Sequence, residues 1–260
     1  MNGTTPVQID AVLQAHAMRL YAARRDGVTT DLVTLTSPEI TAPDAHRIAQ
    51  ATLALWGQPR CGFKLGYTSA AMRRQMGISQ PNYGRLTVDM DFTRGNPVPL
   101  VHPRAEPEIA LRIARDVDPR ADKGADVITI VDAVFPALEI VDTRYHDYVF
   151  RYEDNIADNS SAAGFVLGAA HLPDVLRGDG VDVTFEIGEE RPLIGHSSAA
   201  LGGPLHALKW LLAELAAIDE VLPAGSIILT GGLTAAPPLA EGQTLTAHFQ
   251  TLGPVSVTRS

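Results

Sequence analysis

The chain has a single cysteine, Cys61, among its 260 residues. One thiol cannot close an internal disulfide and cannot build a thiolate zinc site. Cys61 therefore reads as a small apolar residue of the interior rather than as a nucleophile. No run is apolar for long enough to span a bilayer, because Asp132 interrupts the best candidate, residues 127–141. No basic segment followed by an apolar stretch opens the sequence, so no signal peptide is expected and the expected compartment is the cytoplasm. Positive charge is scarce: 21 Lys and Arg stand against 30 Asp and Glu, a net charge of −9. Such a surface repels phosphate backbones and anionic lipids, which argues against nucleic acid and membrane as partners. A small anionic substrate must then be drawn in by local positive charge or by a bound cation. Several catalytic templates are missing too. There is no phosphate-binding loop and no dinucleotide fingerprint, and no two histidines sit at metal-ligand helical spacing. Gly195-His-Ser197-Ser-Ala199 ends in Ala where a nucleophile elbow needs Gly.

What is present is an ordinary soluble composition, 45% hydrophobic, which is enough for a sizeable core. Apolar positions at Ile9, Val12, Leu13, Leu20 and Tyr21 predict a helix over 7–25, ended by Asp26-Gly27. A second helix is predicted over 43–56, with Thr41 as N-cap, Pro43 in the first turn and Gly57 after the end. Beyond residue 60 the texture changes to short Val-, Ile-, Phe- and Leu-rich segments separated by Gly and Pro. Strands are expected over 61–67, 106–113, 137–142, 164–167, 181–187, 226–230, 244–249 and 255–258, with helices at 69–76, 126–133 and 204–217. Residues 112–126 read as a solvated loop. The fold class is α+β, with an N-terminal helical region (1–60) and a β-rich catalytic part (61–260).

Two acidic signals carry the chemistry. In Arg104-Ala-Glu106-Pro107-Glu108, two glutamates sit two apart at the start of an apolar strand. Residues i and i+2 of a strand share a face, so the carboxylates lie side by side and repel unless a cation sits between them. Pro107, lacking an amide hydrogen, suggests a strand edge or start. In Pro136-Ala-Leu-Glu139-Ile-Val, a glutamate is embedded in an apolar run, which is costly unless it is paired or metal-bound. Three carboxylates without thiolates make a hard oxygen site suited to Mg²⁺ or Mn²⁺. The competing account is an exposed acidic strand face, with Glu139 paired to Arg144 or Lys64. Lys64, flanked by Gly62 and Gly66 in an apolar strand, fits proton transfer with a burial-lowered pKa, or, as is commoner for a lone lysine, a stem lying over the core with its head in water. The cluster Asp154 to Gly164, with Asp158, Asn159 and Ser160, orients a ligand or forms a capped turn. Thr230-Gly231-Gly232-Leu-Thr234 offers backbone amides to an anion or is a tight turn.

Taken in order, several segments resemble the hydratase/decarboxylase branch of the fumarylacetoacetate hydrolase family. They are Phe63-Lys64-Leu-Gly-Tyr-Thr-Ser69, Gln75-Met-Gly77, Pro81-Asn-Tyr-Gly84, Pro103-Arg-Ala-Glu106-Pro-Glu108, Pro136-Ala-Leu-Glu139-Ile-Val-Asp142-Thr-Arg144, Ile156-Ala-Asp158-Asn159-Ser160, Leu201-Gly-Gly-Pro204, Leu229-Thr-Gly-Gly232 and Leu252-Gly-Pro-Val-Ser256. The resemblance spans about residues 40–257. It implies a mixed β-roll or sandwich core with a small N-terminal helical region. It implies Mg²⁺, with Mn²⁺ as the substitute, held by Glu106, Glu108 and Glu139. Lys64 and Asp158 would be the catalytic pair, and Thr68, Ser69, Asn159, Ser160, Thr230, Gly231 and Thr234 would bind substrate.

The implied substrate is a small 2-oxo dicarboxylic or dienoic acid. Two chemistries stand in the branch: decarboxylation of 4-oxalocrotonate to 2-hydroxypenta-2,4-dienoate, and hydration of that dienol to 4-hydroxy-2-oxopentanoate. The Thr230–Thr234 turn, the Ala105-Glu-Pro-Glu108 segment and Gly84-Arg-Leu-Thr87 are more similar to the decarboxylases. Gly203 before Pro204 and Asn82 depart from a family His and Asp, and Pro237 from a Val. A homo-oligomer, and a complex with a paralogous hydratase, are implied as partners. Lower-ranked readings are an acylpyruvate-type C–C hydrolase, for which no matching histidine is evident, and a non-catalytic assembly subunit.

Overall fold

A computed structural model describes residues 10–70, 73–74, 77–94, 99–122, 124 and 126–259. Three helices come first. In α1 (Ala11–Asp26) the Asp10 carboxylate accepts from the Val12 amide, and Gly27 closes the helix. The predicted start at residues 7–9 lies outside the described residues. A single turn, α2 (Val33–Thr36), precedes α3 (Ala42–Trp56). The start of α3 is the expected one. Thr41 and Asp44 bond each other's backbone reciprocally, and Pro43 sits in the first turn. Leu13, Ala17, Leu20, Val33, Ala45 and Ile48 make a core for this lobe, and Tyr145, Ile156 and Ala157 insert into it. The last two belong to α4 (Tyr152–Ala157), which docks the lobe on the rest of the chain. We propose the domain boundary at 60/61, with α4 reaching back across it.

The remainder is β-rich, and the α+β roll with a sandwich core is as expected. One mixed sheet runs in the order β2-β1-β8-β3-β4-β5, where β1 is Arg60–Gly66, β2 Asn82–Thr87, β3 Arg104–Ile113, β4 Val131–Val141, β5 Ala162–Leu167 and β8 Ile227–Leu229. Only the β1–β8 pair is parallel. A second, antiparallel sheet runs β10-β9-β6-β7, with β6 Asp182–Ile187, β7 Leu193–His196, β9 Thr244–Phe249 and β10 Gly253–Thr258. Helix α5 (Pro204–Ala217), at its predicted bounds, turns Leu208, Leu211 and Leu215 onto the shared core.

Two strands escaped prediction. β2 is too polar to read as a strand, and β7 is only four residues long. The helix expected over 126–133 is corrected. A 3-10 turn, Val127–Ile130, leads directly into β4 at Val131, because the β-branched run Val-Ile-Thr-Ile-Val favours extended backbone. The helix expected over 69–76 falls partly on residues 71–72 and 75–76, outside those described.

The alternation along β3 decides where the chemistry sits. Ala105, Ile109, Leu111 and Ile113 face the core between the sheets, with Leu138 and Ile140 of β4 and with Val183, Phe185 and Ala247 of the second sheet. Ala110, Ala133, Phe135 and Ala137 face the other way, against Leu86, Met90 and Phe165. Glu106, Glu108 and Glu139 share the parity of that second face. A one-residue slip of register would drive all three carboxylates into the sandwich core, so burial on the core side fixes the register of the site.

Candidate active site

Antiparallel pairing of β3 with β4 sets Glu106 opposite Glu139, with Glu108 two residues further along. One carboxylate oxygen from each lies within 4.8 Å of the others. Glu108 and Glu139 are fully buried, and Glu108 Oε1 and both Glu139 oxygens lack a hydrogen-bond partner. Pro107 is not at a sheet edge. Its carbonyl accepts from the Leu233 amide on the β8 side, so its missing N–H falls where β8 has not begun to pair. The Thr230-Gly231-Gly232 turn closes over the carboxylates, and the Gly231 amide donates to Glu108 Oε2 at 2.7 Å. Gly231 has φ +113°, and a Cβ there would lie 2.0 Å from Thr68 Oγ1; one on Gly232 would lie 2.6 Å from Glu106 Oε2. Two glycines are what let this turn press against both groups.

Lys64 comes from β1. Its ammonium lies 3.1 Å from Glu139 Oε1, without hydrogen-bond geometry, and donates to the Ser160 carbonyl at 2.9 Å. That carbonyl is presented by a strained turn: Asn159, Ser160 and Ser161 have φ of 54°, 55° and 56°, all left-handed and none glycine. Side chains hold the turn. Asn159 bonds both the amide and the carbonyl of Arg85 at 2.8 Å, Ser160 Oγ donates to Asn82, and Asn155 donates to Ser161 Oγ. Beside the glutamates opens a cavity of about 390 Å³, lined by Lys64, Tyr67, Thr68, Arg104, Glu106 and Tyr148 among others.

The fumarylacetoacetate hydrolase C-terminal model matches residues 69–258. The chain belongs to the fumarylacetoacetate hydrolase family. Within this family it is 40% identical over 216 residues to a 4-oxalocrotonate decarboxylase from a Pseudomonas species, covering 82% of this chain and 81% of that one. It is 34% identical over 260 residues to a 2-keto-4-pentenoate hydratase from Burkholderia vietnamiensis, covering 96% and 98%. A solved 4-oxalocrotonate decarboxylase from Pseudomonas putida G7, complexed with magnesium and adipate, superposes with a TM-score of 0.86 at 30% identity over the whole of both chains. The chain therefore lies in the hydratase/decarboxylase branch.

The three family glutamates fit a divalent ion by their own geometry. Three carboxylates against one ammonium leave two negative charges uncompensated when all are ionised, which matches one Mg²⁺. The pairing of Glu139 with Lys64, the competing account, is real but neutralises only one of the three. In the metal-free protein the strain is electrostatic. Burial raises all three carboxyls above their ordinary range, helped at Glu108 by Glu139 and Glu106, and Glu139 is pushed up to about 7. Burial by itself lowers Lys64, but Glu139, Glu106 and Glu108 outweigh it and hold the ammonium above its usual value. The expected lowered lysine is thereby corrected. A carboxyl raised on folding means the native state binds more protons than the unfolded one. Metal-free protein is therefore expected to lose stability as pH rises from about 4.5 to about 7, and Mg²⁺ to restore it at the upper end. Thermal melts at pH 5 and pH 7.5, with EDTA and with Mg²⁺, check this; a metal-free melting temperature that rises over that range contradicts it.

Other expected site residues divide. Thr68, Ser69 and Ser160 line the cavity. Asp158 does not: Arg144 binds it through its side chain and its amide, and Thr143 Oγ1 donates to it at 2.9 Å. Asp158 begins the turn that presents Ser160, so we propose that its expected catalytic role is exercised by positioning Lys64 through that carbonyl. Asp158→Ala strands the buried Arg144, and we expect a loss of about 3 kcal/mol, or about 6–12 °C in melting temperature. An unchanged melt counts against that role. Asn159 likewise faces Arg85 and not the cavity. Thr230 donates to the Ile109 carbonyl and Thr234 to the Ala235 carbonyl, and neither lines the cavity. The turn is no free anion nest, because the Gly231 and Leu233 amides are used by Glu108 and Pro107. Sequence reasoning missed Tyr67, Tyr148 and Asn155, for which no spacing signal exists, and Arg104, for which one does: it is two residues before Glu106.

Proposed function

We propose that this protein is a magnesium-dependent carboxy-lyase that converts 4-oxalocrotonate to 2-hydroxypenta-2,4-dienoate and CO₂. The observation that carries the reading is the trio of converging carboxylates beside Lys64, with Glu108 and Glu139 fully buried and holding unpartnered oxygens and Glu106 opening on the cavity. Glu106, Glu108 and Glu139 would hold the ion. A bound divalent ion would supply the sink for the charge released at the ketone of a 2-oxo acid. The C5–C6 bond breaks and CO₂ leaves. Its electron pair forms C4=C5, the C3=C4 pair moves to C2=C3, and the carbonyl pair settles on the C2 oxygen. Lys64, charged and fixed by Ser160, is placed to give that oxygen a proton. Thr68, Ser69 and Ser160 bind the ligand, and the aromatic wall of Tyr148 and Phe150 excludes water.

Hydration is the second reading, supported by a hydratase relative 34% identical over 96% of this chain. It needs a base to take a proton from water. Among the described residues, the carboxylates nearest the cavity are those that would hold the ion, no histidine lines it, and position 82 carries a neutral Asn bonded to Ser160. Decarboxylation needs no such base. Purified protein given 4-oxalocrotonate with Mg²⁺ is expected to release CO₂ and accumulate the dienol, and to stop with EDTA. Consumption of 2-hydroxypenta-2,4-dienoate without CO₂ release from 4-oxalocrotonate favours the hydratase, and turnover indifferent to chelator removes both. We further propose that the chain acts as a homo-oligomer, with a paralogous hydratase as a partner that takes up the dienol.

A further inference from the structure

Arg104, Glu106 and Glu108 follow one another at every second position of β3, so all three side chains leave the same face of the strand. Glu108 is fully buried, and Glu106 and Arg104 are part-buried on the cavity wall. From Glu106 to Arg104 the strand advances roughly 7 Å along the cavity wall.

The Arg104 cation is held in place. Its guanidinium lies 4.7 Å above the Tyr148 ring, and Nη1 donates to the Ala236 carbonyl at 3.2 Å. Among the described residues no carboxylate forms an ion pair with it. Glu106 feels its charge, which pulls against the burial that raises that carboxyl, but does not touch it. Four of its five N–H donors have no acceptor within the described protein, and the cavity it lines carries Val141, Phe150 and Ala235 as well as polar groups. A fixed fork of donors with no ion-paired carboxylate, on the wall of a cavity, is suited to a carboxylate.

We infer that Arg104 anchors the far carboxylate of a dicarboxylic ligand and so selects 2-oxo diacids over monoacids at this site. The inference rests on the reading of the three glutamates as the anchor of the 2-oxo end. The spacing agrees: the carboxyl carbons of an extended six-carbon diacid lie roughly 6 Å apart from standard bond lengths, close to the advance between Glu106 and Arg104. The anchor acts on capture. The far carboxylate is the one lost as CO₂, so holding it tightens the ground state and shows in KM more than in kcat.

The test is calorimetric binding of adipate and of hexanoate, matched in length, to the Mg²⁺-loaded protein. Wild type is expected to prefer adipate by about 10–100-fold, the worth of a charge-assisted hydrogen-bonded pair. Arg104→Gln should erase that preference by weakening adipate alone, and should raise KM for 4-oxalocrotonate by a similar factor. Arg104→Lys should keep part of it, since the charge remains and the fork does not. A wild type that binds both acids equally, or an Arg104→Gln that keeps the preference or loses both acids in equal measure, overturns the anchor. Adipate preference that depends on Arg104 in a protein that releases no CO₂ sustains the anchor and sinks the decarboxylase reading instead.

Discussion

Glu108→Gln is expected to abolish activity while making the metal-free protein no less stable. The Glu108 side chain is fully buried, its Oε1 is unpartnered, and its carboxyl is raised by burial and by two neighbouring carboxylates. An amide removes the like-charge repulsion and keeps an oxygen to accept from Gly231, so the metal-free melting temperature should hold or rise. The same change removes one of three anionic ligands. Magnesium affinity should fall by about 10–100-fold or more, and kcat/KM by about 10³-fold, the scale for deleting a preorganised electrostatic group. Parallel thermal melts, metal titration and kinetics check it. An active variant refutes the metal site. A variant that unfolds shows instead that Glu108 is a structural carboxylate.

Lys64→Met carries the opposite sign for stability. Methionine fills a similar volume but removes the ammonium that faces Glu139 and strands the Ser160 carbonyl. Breaking a buried pair by deleting one partner costs about 3–5 kcal/mol, and here three carboxylates are left together. Added Mg²⁺ should restore much of that stability, because the ion supplies the missing positive charge. It should not restore turnover, which loses about 10²–10⁴-fold when a positioned proton donor is absent. The split between rescued melting temperature and unrescued kcat separates a proton-handling lysine from a purely structural counter-ion. Full rescue of both by Mg²⁺ would assign Lys64 to structure alone.

The parts of this site legible in the sequence are those that local spacing encodes. Glu106 and Glu108 are read as neighbours because a strand has period two, and the fold confirms that alternation along β3. Glu139 is conspicuous because a charge in an apolar run demands an explanation. What spacing cannot encode is which backbone a polar side chain serves. Asn159 reads as a ligand contact and Asp158 as a catalytic group, yet one is consumed by Arg85 and the other by Arg144, partners 74 and 14 residues away. The left-handed run Asn159–Ser161 carries no glycine to announce it, and it is imposed by those tertiary bonds. Residues 126–133 read as helical because a short apolar run fits either period; in the fold 127–130 make a 3-10 turn, and pairing with β3 holds the chain as strand from Val131. Arg104 lies within the acidic motif and obeys the same alternation, but spacing alone does not say whether a single arginine pairs with the neighbouring glutamates or stands apart from them.

The central claim is that Glu106, Glu108 and Glu139 jointly hold one divalent ion with room for a 2-oxo acid. Electron paramagnetic resonance of Mn²⁺ titrated into the purified protein, followed by pyruvate, addresses it directly. The account predicts one Mn²⁺ per chain, a spectrum that changes when pyruvate is added, and loss of both in Glu108→Gln and Glu139→Gln. Stoichiometric Mn²⁺ binding that survives in both variants, or none in the wild type, contradicts it.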